Sequence, residues 1–351
     1  MNKLFLYAIS FSTLIVLLVA SIALGIAVGS TYIPIDKVFS LVCRQITCIA
    51  RDSPYCASLN SDPSYVIVVE IREPRTLAAV IGGAALAIAG LIYQIMFRNP
   101  IVGPYVLGVS SGASLAVGLV ILAGISLGFK DVFAPYTIIS AALLGAYAVT
   151  SLVLIAASIV RSVVTLLVIG LMIGYLCQAA TSILMTFAEK ERVHAYVMWT
   201  LGSFAGYKWS DVIISIAILV PLIISAMALS RPLNLLLLGE DYARTMGLNV
   251  RAFRLCVIGI ASSLAAIVTA FAGPIGFIGV AVPHLARLLF RTSNNTVLLP
   301  ATALLGAIVT TLCDIVARIL FAPIELPINA VTSLFGAPLI IALLIKRRVR
   351  T

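Results

Sequence analysis

The chain has 351 residues, 62% of them hydrophobic and only 10% charged, with a formal net charge of +10. No soluble globular domain has this composition, since such domains keep roughly a quarter of their residues charged. The positive excess does not indicate nucleic acid, because the basic residues are not gathered with aromatics on one polar face but sorted between apolar runs.

An apolar run of roughly 20 residues spans a bilayer, and only a helix satisfies its backbone there. Such runs fall near 4–29, 74–97, 104–126, 133–160, 164–187, 210–229, 254–272, 275–291, 297–320 and 329–345. They predict an all-α membrane protein of about ten transmembrane helices forming one membrane domain over 1–351. The first run is too long for the apolar part of a cleaved signal peptide and is read as a span. With the N-terminus inside, Lys3, Arg98, Arg161, Arg231, Arg244, Arg251, Arg254, Arg287, Arg291, Lys346, Arg347, Arg348 and Arg350 face the cytoplasm. Only Glu240 and Asp241 oppose them there. The positive-inside rule then gives an N-in, C-in topology.

In chain order, the first polar region is an outer loop, 31–66, with Pro34, Pro54 and Pro63. It holds Cys43, Cys48 and Cys56, of which two can pair in an oxidising compartment and one is left over. Cys177, Cys256 and Cys313 lie in apolar runs and read as small packing residues. Arg72-Glu73-Pro74-Arg75 marks the outer edge of the second span, as snorkelling anchors or as a dock for an acidic partner. Gly82, Gly83, Ala84, Ala85 and Gly90 then allow close helix approach, before Gln94 and the inner turn Phe97-Arg98-Asn99-Pro100.

Gly103-Pro104 and Gly108-Val109-Ser110-Ser111-Gly112 interrupt the third span. Such backbone at membrane depth lines a cavity or is buried in protein. The second string also matches G-x-S-x-G, and with His284 an intramembrane serine protease can be drawn, provided a strand-to-helix elbow presents the serine. An outer stretch, 189–208, carries Trp199-Thr200-Leu201-Gly202-Ser203 and leads to Trp209, which fits an aromatic belt.

The most polar inner segment is 230–254. Ser230-Arg231-Pro232 reads as a helix start, Glu240 and Asp241 begin a second short helix, and Gly247 ends it. Leu236, Leu237, Leu238, Ala243, Met246 and Leu248 give it an apolar face. Such an element can lie on headgroups, simply connect two spans, or be the surface on which a cytosolic partner pushes. A second Gly/Pro junction, 273–279, would be external where the first is cytosolic, the pattern of an inverted repeat.

Asp314 and Arg318 sit at i, i+4 in the ninth span and can pair on one face. Charges in a span face protein or water. Asp314 is also the one acidic residue an ion-coupled secondary transporter could use at the midplane. Glu325-Leu326-Pro327 turns outside, and Gly336-Ala337-Pro338 interrupts the last span. No lysine follows a glycine, so the chain has no P-loop, and neither HExxH nor CxxC occurs.

Taken in order, these motifs give a resemblance over nearly the whole chain. It resembles the permease subunits of ABC importers for iron-siderophores, haem and cobalamin. The carriers are Arg72-Glu73-Pro74-Arg75 with the small-residue span after it, Arg98-Asn99-Pro100 through Ala113, and Trp199 to Ser203. Arg231-Pro232-Leu233-Asn234, Leu238-Gly239-Glu240 to Gly247-Leu248, 273–279, Pro283-His284, Arg287, Asp314, Arg318, Glu325-Leu326-Pro327 and Gly336-Ala337-Pro338 continue it.

The resemblance implies a type II ABC importer permease in a prokaryotic cell membrane. It implies a homodimer, two P-loop ATPase subunits that hold ATP and magnesium, an extracellular substrate-binding protein, and no cofactor, metal or nucleic acid on this chain. It places ATPase coupling on Leu238, Gly239, Glu240, Asp241, Ala243, Arg244, Met246 and Gly247. Arg72, Arg75 and Arg318 match positions that dock the binding protein. Asn99, Ser162, Val163 and Val164 match a cytosolic gate, although Val163 and Val164 replace small hydroxyl residues of the family pattern.

Overall fold

The computed structural model describes residues 3–50, 62–125, 133–160 and 162–348, and every regular element among them is helical. In order these are α1 (Lys3–Ala27), α2 (Ile35–Ala50), α3 (Pro63–Met96), α4 (Val109–Ile121), α5 (Pro135–Ile159), α6 (Val163–Phe187) and α7 (Lys190–Thr200). Then come α8 (Trp209–Ala228), α9 (Ser230–Leu238), α10 (Glu240–Thr245), α11 (Val250–Ala272), α12 (Ile278–Phe290), α13 (Asn295–Ile319) and α14 (Ile328–Arg348). Among the described residues seven helices are long and apolar enough to cross a membrane: α1, α3, α5, α6, α8, α11 and α13. The shorter apolar helices α4, α12 and α14 account for the other three runs.

The core is built on α3, which is buried on almost every side and packs against α13, α11, α12 and α8. Small residues make that possible. A side chain on Gly90 would put its Cβ 1.8 Å from the Gly279 carbonyl oxygen, so the α3 and α12 backbones touch there. On one flank α4, α5 and α6 pack together, and on the other α1 lies along α13 with one apolar face left exposed.

The second span starts well before the expected position 74. Asp62 caps α3 by accepting from the Ser64 backbone N–H at 2.9 Å, Pro63 occupies the first turn, and residues 66–72 form a widened π-helical stretch. At 1.5 Å per residue the 34 residues of α3 run for about 50 Å, roughly 20 Å beyond the hydrocarbon layer. The extension carries α2, whose Val38 and Leu41 pack on Tyr65, Val68 and Val69, while Lys37 lies 3.2 Å from Asp62. Trp209, expected in an aromatic belt, instead donates its indole N–H to the Val69 carbonyl at 2.8 Å. Glu70, Arg72 and Glu73 made this stretch read as loop, because their charges mask a helix that is held by protein.

Span three is also shorter than expected. Helices α4 and α12 each have 13 residues, about 20 Å, and cannot cross alone. Irregular segments, 103–108 and 273–277, complete the two crossings. They meet inside the protein: the Tyr105 hydroxyl accepts from the Ile275 backbone N–H at 3.1 Å and from the Thr269 hydroxyl at 3.3 Å, and Pro104 lies against Gly279. Irregular backbone is tolerated at this depth because protein groups satisfy it. Two lengths recur in the same order, with α4 and α12 at 13 residues and α5 and α13 at 25.

Candidate functional site

The segment 230–254 folds into a foot made of α9, α10 and the first turn of α11. Gly239 makes the break between α9 and α10 at φ 130° and ψ 150°, a conformation essentially reserved for glycine. Leu233, Leu236 and Ala243 face inward, whereas Leu237, Leu238, Tyr242 and Met246 are exposed, with Leu238 67% and Met246 59% accessible. Ala243 is therefore packing rather than contact surface. Tyr242, absent from the expected set, belongs to the outward face.

The foot is tied to the spans by polar contacts. Asn234 donates to the Asn294 side chain and accepts from the Asn295 backbone N–H, both at 2.8 Å, fixing α9 to the start of α13. Arg98, after α3, donates to the Leu236 carbonyl at 3.3 Å. Glu240 binds buried Arg254 at 2.8 Å and reaches Arg244 at 4.0 Å. Arg251 donates to the Ser158 carbonyl near the end of α5. The foot as a whole is therefore tied to α3 and α13 through α9 and to α5 through the start of α11, and α10 joins it to α11 through Glu240. Asp241 and Arg244 remain exposed on the foot, and Gly247 at φ 88° ends α10 as expected.

At the outer end the three arginines are paired within the chain. Arg75 bonds Asp314 at 3.0 Å and Glu325 at 2.9 Å. Arg318 approaches Asp314 Oδ2 at 2.9 Å, in an ionic contact outside hydrogen-bond geometry, and donates to the Gly25 carbonyl at 3.0 Å. Arg72 donates to the carbonyls of Ala27 and Thr31. All three are at most 4% exposed. Within the chain these guanidiniums neutralise Asp314 and cap the negative end of α1. Buried arginines must find such acceptors because an unpaired charge is costly in low dielectric.

The FecCD transport family matches residues 16–346. The chain belongs to that family. The haemin transport system permease HmuU of Yersinia pestis is 36% identical over 289 residues, covering 82% of this chain and 86% of that one. The vitamin B12 import system permease BtuC of Escherichia coli O9:H4 is 38% identical over 283 residues, covering 81% and 85%. A solved inward-facing metal-chelate type ABC transporter superposes with a TM-score of 0.81 at 31% identity, covering 97% of this chain and 99% of that one. The FecCD chain described here is thus a multi-pass transport subunit and not an enzyme.

The expected gate residues of this FecCD member lie in two places. Asn99 follows α3, and its side chain accepts from the Ile101 N–H at 3.1 Å. Ser162 caps α6 by accepting from Thr165 N–H at 3.3 Å, with Val163 partly covered and Val164 69% exposed. Among the described residues no hydrogen bond joins the two groups. Near the middle of α6, the side chains of Tyr175 and Gln178 are exposed one turn apart and make no side-chain hydrogen bond among the described residues. Sequence reading missed them, although a glutamine amid a long apolar run is a visible signal. The side chains of Cys48 and Cys56, on which the outer disulfide depends, lie outside the described residues.

Proposed function

We propose that two copies of this chain form a conduit for a metal chelate of the haem, cobalamin or ferric-siderophore class. In this reading a pair of separate ATPase chains, holding ATP and magnesium, drives the conduit through the foot, and an extracellular binding protein delivers the cargo. The observation that carries it is the foot itself: an apolar, exposed face of Leu237, Leu238, Tyr242 and Met246 on an element clamped to four spans. Apolar surface of this kind outside lipid marks a protein interface. Names borne by the relatives support the cargo class, and the largely apolar exposed face of α6 suits passage without tight binding.

The two other readings lose their key residues. Asp314 is held between Arg75 and Arg318 and is no open ion site. Irregular backbone, not a strand, leads into Ser110 and Ser111, so the elbow a serine nucleophile needs is missing.

The test is co-purification with a P-loop ATPase encoded beside this chain. Met246→Asp and Tyr242→Asp, both on exposed side chains, should abolish association while the permease remains monodisperse and membrane-inserted. Retained association in both variants, or solute uptake by liposomes that contain this chain alone and no nucleotide, would overturn the proposal.

A further inference from the structure

An open cleft of about 660 Å³ lies between the end of α5, α10 and the start of α11. Its walls are Ala157, Ser158, Ile159 and Val160 on one side and Arg244, Val250, Arg251 and Arg254 on the other. Three guanidiniums thus border it, and no acidic side chain is among the described residues lining it. Glu240, which binds Arg254 at 2.8 Å and lies 4.0 Å from Arg244, lines a separate small pocket with Arg98, Leu236 and Arg254 rather than this cleft. Above the cleft, Leu152, Ile155 and Ile159 of α5 form an exposed apolar strip with helical spacing, 53%, 57% and 74% accessible. A basic mouth continuous with an apolar track fits an amphiphile rather than a small ion.

We propose that this cleft binds the phosphate of an anionic phospholipid of the inner leaflet, its acyl chain lying along Leu152, Ile155 and Ile159. Arg251 and Arg244 hold the phosphate as charged donors, and the lipid thereby bridges the foot to the last turn of α5. Placing the cleft at the inner leaflet rests on the cytosolic assignment of the foot. Lipid retention is read without any ATPase, so its failure is separable from failure of the coupling role.

The experiment reconstitutes the full chain in phosphatidylcholine vesicles doped with phosphatidylglycerol, extracts it mildly, and counts retained phosphatidylglycerol by native mass spectrometry. One surface arginine contributes about fivefold to anionic-lipid affinity. Arg251→Gln should therefore lower retention about fivefold. Arg231→Gln, which removes an exposed charge elsewhere on the foot, should leave it unchanged. Should R251Q not fold, R244Q is read in its place, since the Arg244 side chain is 62% exposed and carries little packing. Equal loss in R251Q and R231Q, or no loss in either, overturns the proposal. Displacement of the lipid by inorganic phosphate, with the same dependence on Arg251, would assign the cleft to a soluble anion and overturn the lipid assignment.

Discussion

Asp314 carries more of the outer end than any other side chain, because two buried guanidiniums share its carboxylate. Removing one partner of such a cluster costs about 3–5 kcal/mol, most of it the penalty of a buried charge left uncompensated. Asp314→Asn should lower the thermal stability of the purified protein by that order. Glu325→Gln should cost under about 1 kcal/mol, since the Glu325 side chain is 40% exposed and its pairing with Arg75 is screened. Similar losses in the two variants would show that the cluster is not organised around Asp314. The pairing of Asp314 with Arg318 was legible as an i, i+4 spacing. Arg75 as a second partner was not, because 239 positions separate it from Asp314 and only the packing of α3 on α13 joins them. Arg72 and Arg75 likewise read as free charges at a membrane edge until their acceptors are seen: carbonyls of α1 and the loop after it for Arg72, and Asp314 and Glu325 for Arg75.

At the scale of elements, glycine serves two opposite purposes that one substitution can separate. Gly90 is held against the Gly279 carbonyl, so Gly90→Ala forces α3 and α12 apart and should prevent folded protein from accumulating in the membrane. Gly239 has open space around it but a backbone conformation that costs an ordinary residue about 1–3 kcal/mol. Gly239→Ala should therefore accumulate normally and still lose nucleotide-driven uptake, about tenfold for each 1.4 kcal/mol by which the bent foot is disfavoured. Wild-type uptake by G239A, measured in vesicles with the ATPase present, would remove the hinge from the mechanism. The foot was legible because caps, glycines and charges are local signals. The outer extension of α3 was not, since its charged residues imitate a loop and only the support of α2 and Trp209 makes them helical. The meeting of 103–108 with 273–277 was half visible: the Gly/Pro strings announced irregular backbone, but nothing in them named Tyr105 as the group joining the two.

For the molecule as a whole, the unresolved surface is the exposed middle of α6. A glutamine amide with no partner costs about 4–8 kcal/mol in pure hydrocarbon, far more than a single membrane helix can ignore. Gln178, with Tyr175 beside it, must therefore face water or a second copy of the chain, whereas Leu152 and Ile155 of α5 can face lipid. That division predicts an accessibility pattern. In a background with the native cysteines replaced, Gln178→Cys should react with a charged, water-soluble thiol reagent in the nucleotide-free assembly, and Leu152→Cys should not. Tyr175→Cys should cross-link to its counterpart in a second copy, or label like position 178, according to how far the α6 helices stand apart. Protection of both α6 positions together with labelling at 152 would turn the subunit around in the membrane and place the conduit along α5 instead.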